Sequence, residues 1–232
     1  MTVLSIETAT AVCGVGLVRS GALVGEQFLE GRSLHAERLL SMIDAALQDA
    51  GMDIRDVEGV AVSIGPGSFT GLRIGLSVAK GLVFGLGRSL AAVPTLEALA
   101  QRLVTTDSSP HLLAALDARR DEVYCQLFRR SGVELHPEGP PEDLPVAAVA
   151  RLLEGKRAVV TGDGTEKVLA EVSPGSAIVG APPDLRRCSA ATVGLLGAQL
   201  LRAGQVADPA TLEPRYIKEF FLRTPSSHKE GE

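Results

Sequence analysis

VEGVAVSIGPGSFTGLRIGLSVAKGLVFGLG, residues Val57 to Gly87, is the stretch that decides the fold class. An apolar run from Val60 to Ile64 ends in Gly65-Pro66-Gly67-Ser68-Phe69-Thr70-Gly71. A helical pattern follows, with Leu72, Leu76, Ala79 and Val83 at spacings of three and four. Strand, glycine turn and helix in that order set a row of backbone N–H groups at a helix N-terminus, where partial positive charge suits a phosphate. Gly65, Gly67, Ser68 and Gly71 are therefore candidate phosphate or nucleotide contacts. The same glycines also serve a turn that only joins a buried strand to a buried helix, and both readings stay open. A P-loop would close on Gly-Lys-Ser/Thr, whereas this turn closes on Gly71-Leu72-Arg73. The dinucleotide fingerprint is nearer in spacing, but the next strand candidate, Ser89 to Val93, ends in Pro94-Thr95 without the carboxylate that motif needs.

Upstream, Val3 to Ile6 is β-rich and leads into Glu7-Thr8-Ala9-Thr10. Val12 to Val18 and Ala22 to Leu29 complete a three-stranded antiparallel opening. Gly31-Arg32-Ser33-Leu34 leads into a helix from His35, with Leu39, Leu40, Ile43, Ala46 and Leu47 on one apolar face, ending near Gly51. Downstream, Pro94-Thr95 opens a helix with Thr95 as its N-cap. The polar run from Thr105 to Pro110 marks a lobe boundary. Beyond it come strands at Leu112 to Leu116 and Glu122 to Phe128, a proline-rich stretch to Pro145, a brief helix from Val146, and a strand from Arg157 to Thr161 closed by Gly162-Asp163-Gly164. A short strand at Ala177 to Val179 precedes a last helix, Ser189 to Arg202, with Ser189 as cap. Strands alternating with helices give an α/β class. The expected division is a first lobe over 1–104, a smaller second lobe over 105–224 whose last helix packs back between the lobes, and a frayed tail over 225–232.

Composition narrows the function. Hydrophobic residues make up 45% and aromatics 3% with no Trp, so the core is aliphatic, as in helix-covered parallel sheets. The net charge of −5, with no Lys/Arg cluster, argues against a chain that holds nucleic acid unaided. Cys13, Cys125 and Cys188 are odd in number and form no CxxC pair, the pattern of reduced core thiols in a cytoplasmic protein. The first residues carry no basic n-region, and the apolar length from Leu72 to Val93 is broken by Arg73, Lys80 and Arg88, so neither a signal peptide nor a membrane span is expected. No two of His35, His111, His136 and His228 stand four apart, and Glu37 at i+2 from His35 points to another helix face, so no metal site is expected.

GPGSFTGLRIG, Gly65 to Gly75, closely resembles the signature of the TsaB family, also called YeaZ. Glu7-Thr8, His35-Ala36-Glu37-Arg38, DARRDEVY (Asp117 to Tyr124) and Pro214-Arg215-Tyr216-Ile217-Lys218 follow in the family's order. The resemblance implies an actin-like (ASKHA, RNase H-like) two-lobe α/β fold with mixed sheets covered by helices. In that fold Glu7 takes the place of an Asp that works through a Mg²⁺-bound water, and Gly162 to Gly164 stands at the adenosine-side turn. DARRDEVY reads as a charged hairpin whose Asp and Arg residues pair across the turn.

The implied role is a non-catalytic subunit with no catalytic residue and no required cofactor, ATP or ADP at a lobe or partner interface being left open. Its partners would be a TsaD-type catalytic subunit that transfers threonylcarbamoyl to adenosine of tRNA and, through it, a TsaE-type ATPase. It would form a homodimer when alone and meet tRNA only within the complex. Two helices, Ala36 to Ala50 and Thr70 to Phe84, would supply the interface, with Leu39, Ile43, Leu72, Leu76 and Val83 as its candidates. Two alternatives stand beside this role: a free-standing actin-fold ATPase, kinase or metallopeptidase-like enzyme, and a nucleotide-sensing module.

Overall fold

A computed structural model of the chain describes residues 1–31 and 35–217; the expectations placed on Arg32-Ser33-Leu34, on Lys218 and on the tail from Pro225 lie outside the described residues. Strands β1 (Thr2–Glu7), β2 (Val12–Arg19) and β3 (Ala22–Glu30) form an antiparallel meander. Helix α1 (His35–Asp49) then leads to β4 (Gly59–Ser63), α2 (Phe69–Leu86) and β5 (Ser89–Val93). β4 joins β1 in parallel and β5 joins β4 in parallel, giving the order β3-β2-β1-β4-β5.

The second half repeats the plan. After α3 (Thr95–Gln101) come β6 (His111–Asp117), β7 (Glu122–Ser131), β8 (Glu134–Pro137) and β9 (Glu142–Pro145), then α4 (Val146–Leu152), β10 (Ala158–Thr161), α5 (Thr165–Glu171), β11 (Ile178–Gly180) and α6 (Ala190–Arg202). The second sheet runs β8-β7-β6-β10-β11, with β9 on the remaining part of β7. Three antiparallel strands followed by two parallel ones occur in both sheets, in the same order and sense. This duplicated plan is the actin-like, RNase H-like fold.

Each sheet is buried on both faces, so the central strands are apolar throughout. Leu4 and Ile6 of β1 face α1 and α2, in a core with Val60, Val62, Leu76 and Val83. Val3 and Ala61 face the other way, onto Val193 and Ala198 of α6. Leu96, Leu99 and Leu103, on and just after α3, pack with Leu112, Leu116 and Phe128 of the second sheet, whose far face is covered by α4 and α5. The covering helices thus cross over: α3 precedes the second sheet yet packs on it, and α6 follows that sheet yet packs on the first.

α6 lies unusually close. A Cβ at Gly194 would stand 2.8 Å from Ser5 Oγ and Val18 Cγ2, and one at Gly197 would collide with the Ala61 methyl. Ser5 Oγ donates to Ala190 O at 2.6 Å, satisfying a buried hydroxyl at the contact. Past α6 the chain runs back along β5. Ala207 N–H donates to Leu90 O at 2.8 Å, Leu212 enters the first core, and Arg215 N–H donates to Ile64 O at 2.6 Å.

One expected cap is corrected: Thr95 is the first residue of α3 rather than its cap, and its hydroxyl accepts from Gly65 N–H at 3.0 Å. Ser189 does stand at the N-cap of α6, but without a side-chain cap bond; its hydroxyl donates to Glu26 Oε1 at 2.9 Å. Both hydroxyls serve long-range contacts that outcompete the local one.

The close seat of α6 predicts an asymmetry between glycines. Gly197→Val should lower unfolding stability by about 2–3 kcal/mol through overpacking. Gly81→Ala, where a Cβ meets open space, should raise it by roughly 0.5–1 kcal/mol. Urea unfolding of both variants checks the pair.

Candidate functional site

The glycine turn between β4 and α2 is a corner packed by protein. Gly65 and Gly67 hold φ of +111° and +157°, and the Gly65–Pro66 peptide is cis. A Cβ at Gly67 or Gly71 would strike the carbonyl oxygens of Ala9 and Thr8, and one at Gly65 would stand 2.6 Å from Arg215 O. Ser68 N–H donates to Ala9 O at 2.6 Å, and Ser68 Oγ caps α2 by accepting from Gly71 N–H at 3.2 Å. The glycines are there because neighbouring backbone comes this close. The second lobe repeats this: a Cβ at Gly162 would strike Ala115 O.

Glu7 ends β1 fully buried. Its Oε1 accepts from Ala9 N–H at 2.6 Å with the Ser63 hydroxyl alongside, while Oε2 has no hydrogen-bond partner among the described residues. Burial pushes the carboxyl up to about 7, against the smaller opposing effect of those two donors. The Cys188 thiol nearby is raised well above its ordinary value, by burial first and then by the charges of Glu7 and Asp163. Cys13 and Cys125 are likewise free and buried. No group of three metal-ligating side chains occurs among the described residues. His35 is a core histidine rather than a polar helix start: it is buried, with Nε2 3.1 Å from Val12 O.

The outer faces of α1 and α2 correct the expected interface. Leu39, Ile43, Leu76 and Val83 are buried in the core of the first sheet and Leu72 is fully buried beside Gly65, so all five are core. On the side of α2 away from the sheet, Gly81, Phe84 and Gly85 are exposed, while Ile74 and Val78 are half-buried at the edge of the first core. Phe84 is 92% exposed, and Leu40 on α1 is 60% exposed. α2 is the one helix among the described residues with the length and apolar content of a membrane span, yet only 33% of it is buried. Periodicity signalled both faces without saying which met the sheet. A cluster the sequence did not reveal caps the N-terminal end of α2. The Tyr216 ring lies 5.0 Å from Phe69, Arg73 stands 4.0 Å over the Phe69 ring, and Arg73 Nε donates to Tyr216 OH at 3.0 Å.

The family model described as "TsaD: tRNA N6-adenosine threonylcarbamoyltransferase" matches residues 30–162. The tRNA threonylcarbamoyladenosine biosynthesis protein TsaB of Bacillus subtilis is 31% identical over 156 residues, 67% of either chain. YeaZ from Pseudomonas aeruginosa superposes with a TM-score of 0.81 at 29% identity, covering 93% of this chain and 99% of that one. The chain belongs to the TsaB (YeaZ) family. The TsaB of Haemophilus influenzae is 37% identical over 124 residues, 53% of this chain, and the match spans 52% of its length, about half.

The buried Glu7 makes stability depend on pH with a definite sign. Its folded value lies above the unfolded one of 4.5, so the full benefit of a neutral carboxyl is present below about 4.5. That benefit is lost as pH rises toward about 7. Glu7→Gln should therefore stabilise the chain at pH 8, by at most on the order of 3 kcal/mol, with the gain shrinking toward pH 5. Urea unfolding of both proteins across that range checks it.

Proposed function

We propose that this chain is a non-catalytic docking subunit that pairs, through the outer faces of α1 and α2, with a TsaD-type catalytic subunit. The pair would act in the cytoplasm in making threonylcarbamoyladenosine on tRNA, the pathway for which its TsaB relatives are named. The observation that carries this reading is α2, which is apolar enough by length and composition to cross a membrane yet only 33% buried, with Phe84 standing 92% exposed on it. An exposed apolar face of this kind marks a protein contact. Gly81 and Gly85, with open space at their Cβ positions, allow a partner helix to approach closely, and Phe84 offers an aromatic anchor.

The same face would pair with a second copy when the catalytic subunit is missing, and a TsaE-type ATPase would join through that subunit. The chain itself requires no cofactor in this role. Its net charge of −5 fits a protein that meets tRNA only inside the assembly.

Phe84→Glu should weaken pairing by on the order of 30- to 1,000-fold while leaving the melting curve near wild type. Leu76→Glu, at a core position, should instead unfold the chain. Light scattering after size exclusion, alone and with the catalytic subunit, reads the first; circular dichroism reads the second. Pairing unaffected by Phe84→Glu would overturn the docking face. ATP hydrolysis by the isolated chain would overturn the non-catalytic role.

A further inference from the structure

We infer that Arg119 and Arg120, at the tip of the β6–β7 hairpin, form a contact site for the phosphate backbone of RNA, a site that rests on the reading of this chain as part of a tRNA-modifying assembly. Two adjacent arginines sit at φ of +73° and +48°. They lie in the four-residue loop Ala118 to Asp121 between β6 and β7, and positive φ is uncommon for residues other than Gly, Asn and Asp. Among the described residues no ion pair joins Asp117 or Asp121 to Arg119 or Arg120 across the turn. Asp117 Oδ1 instead accepts from Lys167 Nζ at 2.6 Å and from Arg119 N–H at 2.7 Å. Both guanidiniums are exposed, and neither has a partner among the described residues.

The backbone beneath them is firmly braced. Lys167 Nζ also donates to Arg120 O at 2.6 Å, Asp117 N–H donates to Asp163 Oδ1 at 2.8 Å, and Glu122 N–H closes the turn onto Arg119 O at 3.2 Å. α5 and the turn before it therefore hold the tip in this shape, with two exposed guanidiniums that meet no partner among the described residues. Strain kept in place by its surroundings, under side chains the fold does not use, is the mark of a contact made with something else.

The charge around the tip says what kind of contact this is. Arg119, Arg120 and Lys167 are balanced by Asp117, Asp121 and Glu122, so the tip does not gather nucleic acid from a distance. It offers a short-range contact in which planar guanidiniums meet phosphate oxygens two at a time, once the RNA is already held by the assembly. Such contacts position the RNA and carry no sequence preference.

The test uses the complex of the full chain with the TsaD-type subunit and unmodified tRNA. Affinity is measured by fluorescence anisotropy between 50 and 200 mM salt (about the range over which such contacts are lost). Two double variants are compared with wild type: Arg119→Ala with Arg120→Ala, and Arg119→Gly with Arg120→Gly. Both should lower affinity, and both should flatten the slope of log affinity against log salt by about two. The glycine pair alone should also raise the melting midpoint, by roughly a few degrees, because it relieves the strain. Unchanged affinity and slope would overturn the site. Loss of pairing with the subunit, with tRNA binding unchanged in the complexes that remain, would assign the guanidiniums to an acidic protein surface and overturn it as well. A wild-type chain that fails to pair at all would overturn the docking reading and this site with it, whereas intact pairing with unaltered tRNA binding overturns this site alone.

Discussion

The seating of α6 on the inner face of the first sheet is the contact on which the rest of the molecule depends. Gly194 and Gly197 let the helix approach β1 and β4 until backbone meets side chain, and the Ser5 hydroxyl is satisfied by Ala190 O at that contact. With α6 there, β1 is buried on both faces, and its run of Val3, Leu4 and Ile6 is accounted for. With α6 and α3 filling the space between the sheets, α1 and α2 are left on the outer face of the first sheet, as α4 and α5 are on that of the second. Were the helices not crossed over, each half would carry its own inner cover and the two sheets would have less reason to stay together.

The same economy of space governs the glycine corners. In a nucleotide-binding turn the glycines clear room for phosphate and aim N–H groups at it. Here Gly67 and Gly71 clear room for the carbonyls of the β1–β2 turn, and Arg215 O closes on Gly65 from the other side. The result is a rigid junction that fixes the first turn of α2, reinforced by Arg73 and Tyr216. A docking helix gains from such fixing, because less ordering is left to be done when the partner arrives.

Much of this was legible in the sequence, and the parts that were not share a cause. The strand–turn–helix from Val60, the antiparallel opening and the last helix follow from periodicity and turn residues, which are local. The order of blocks from Glu7-Thr8 to the Pro214 segment named the family. The five interface candidates were chosen from the clean aliphatic stripes of two helices, and a clean aliphatic stripe is what a sheet selects. The outward stripe is interrupted by Ser77 and two glycines and so looked like background. Thr95 and Ser189 were assigned by neighbours in sequence, yet Gly65 and Glu26 claimed their hydroxyls from across the fold. The crossing of α3 and α6, and the unpaired Arg119 and Arg120, depend on contacts between residues far apart in the chain. No window of sequence contains them.

The crossover also sets an order of events during synthesis. The first sheet is complete in strands once β5 has emerged, but the helix that covers its inner face is made about 100 residues later. At roughly 5–20 residues per second, that face waits on the order of 5–20 s for its cover. Val3, Val18, Ala61 and Ala91 are open to solvent in the interval, and the nascent half presents a second apolar surface beside the one on α2. A chaperone or the assembly partner itself would find the young chain stickier than the finished one, on a face that later vanishes from view.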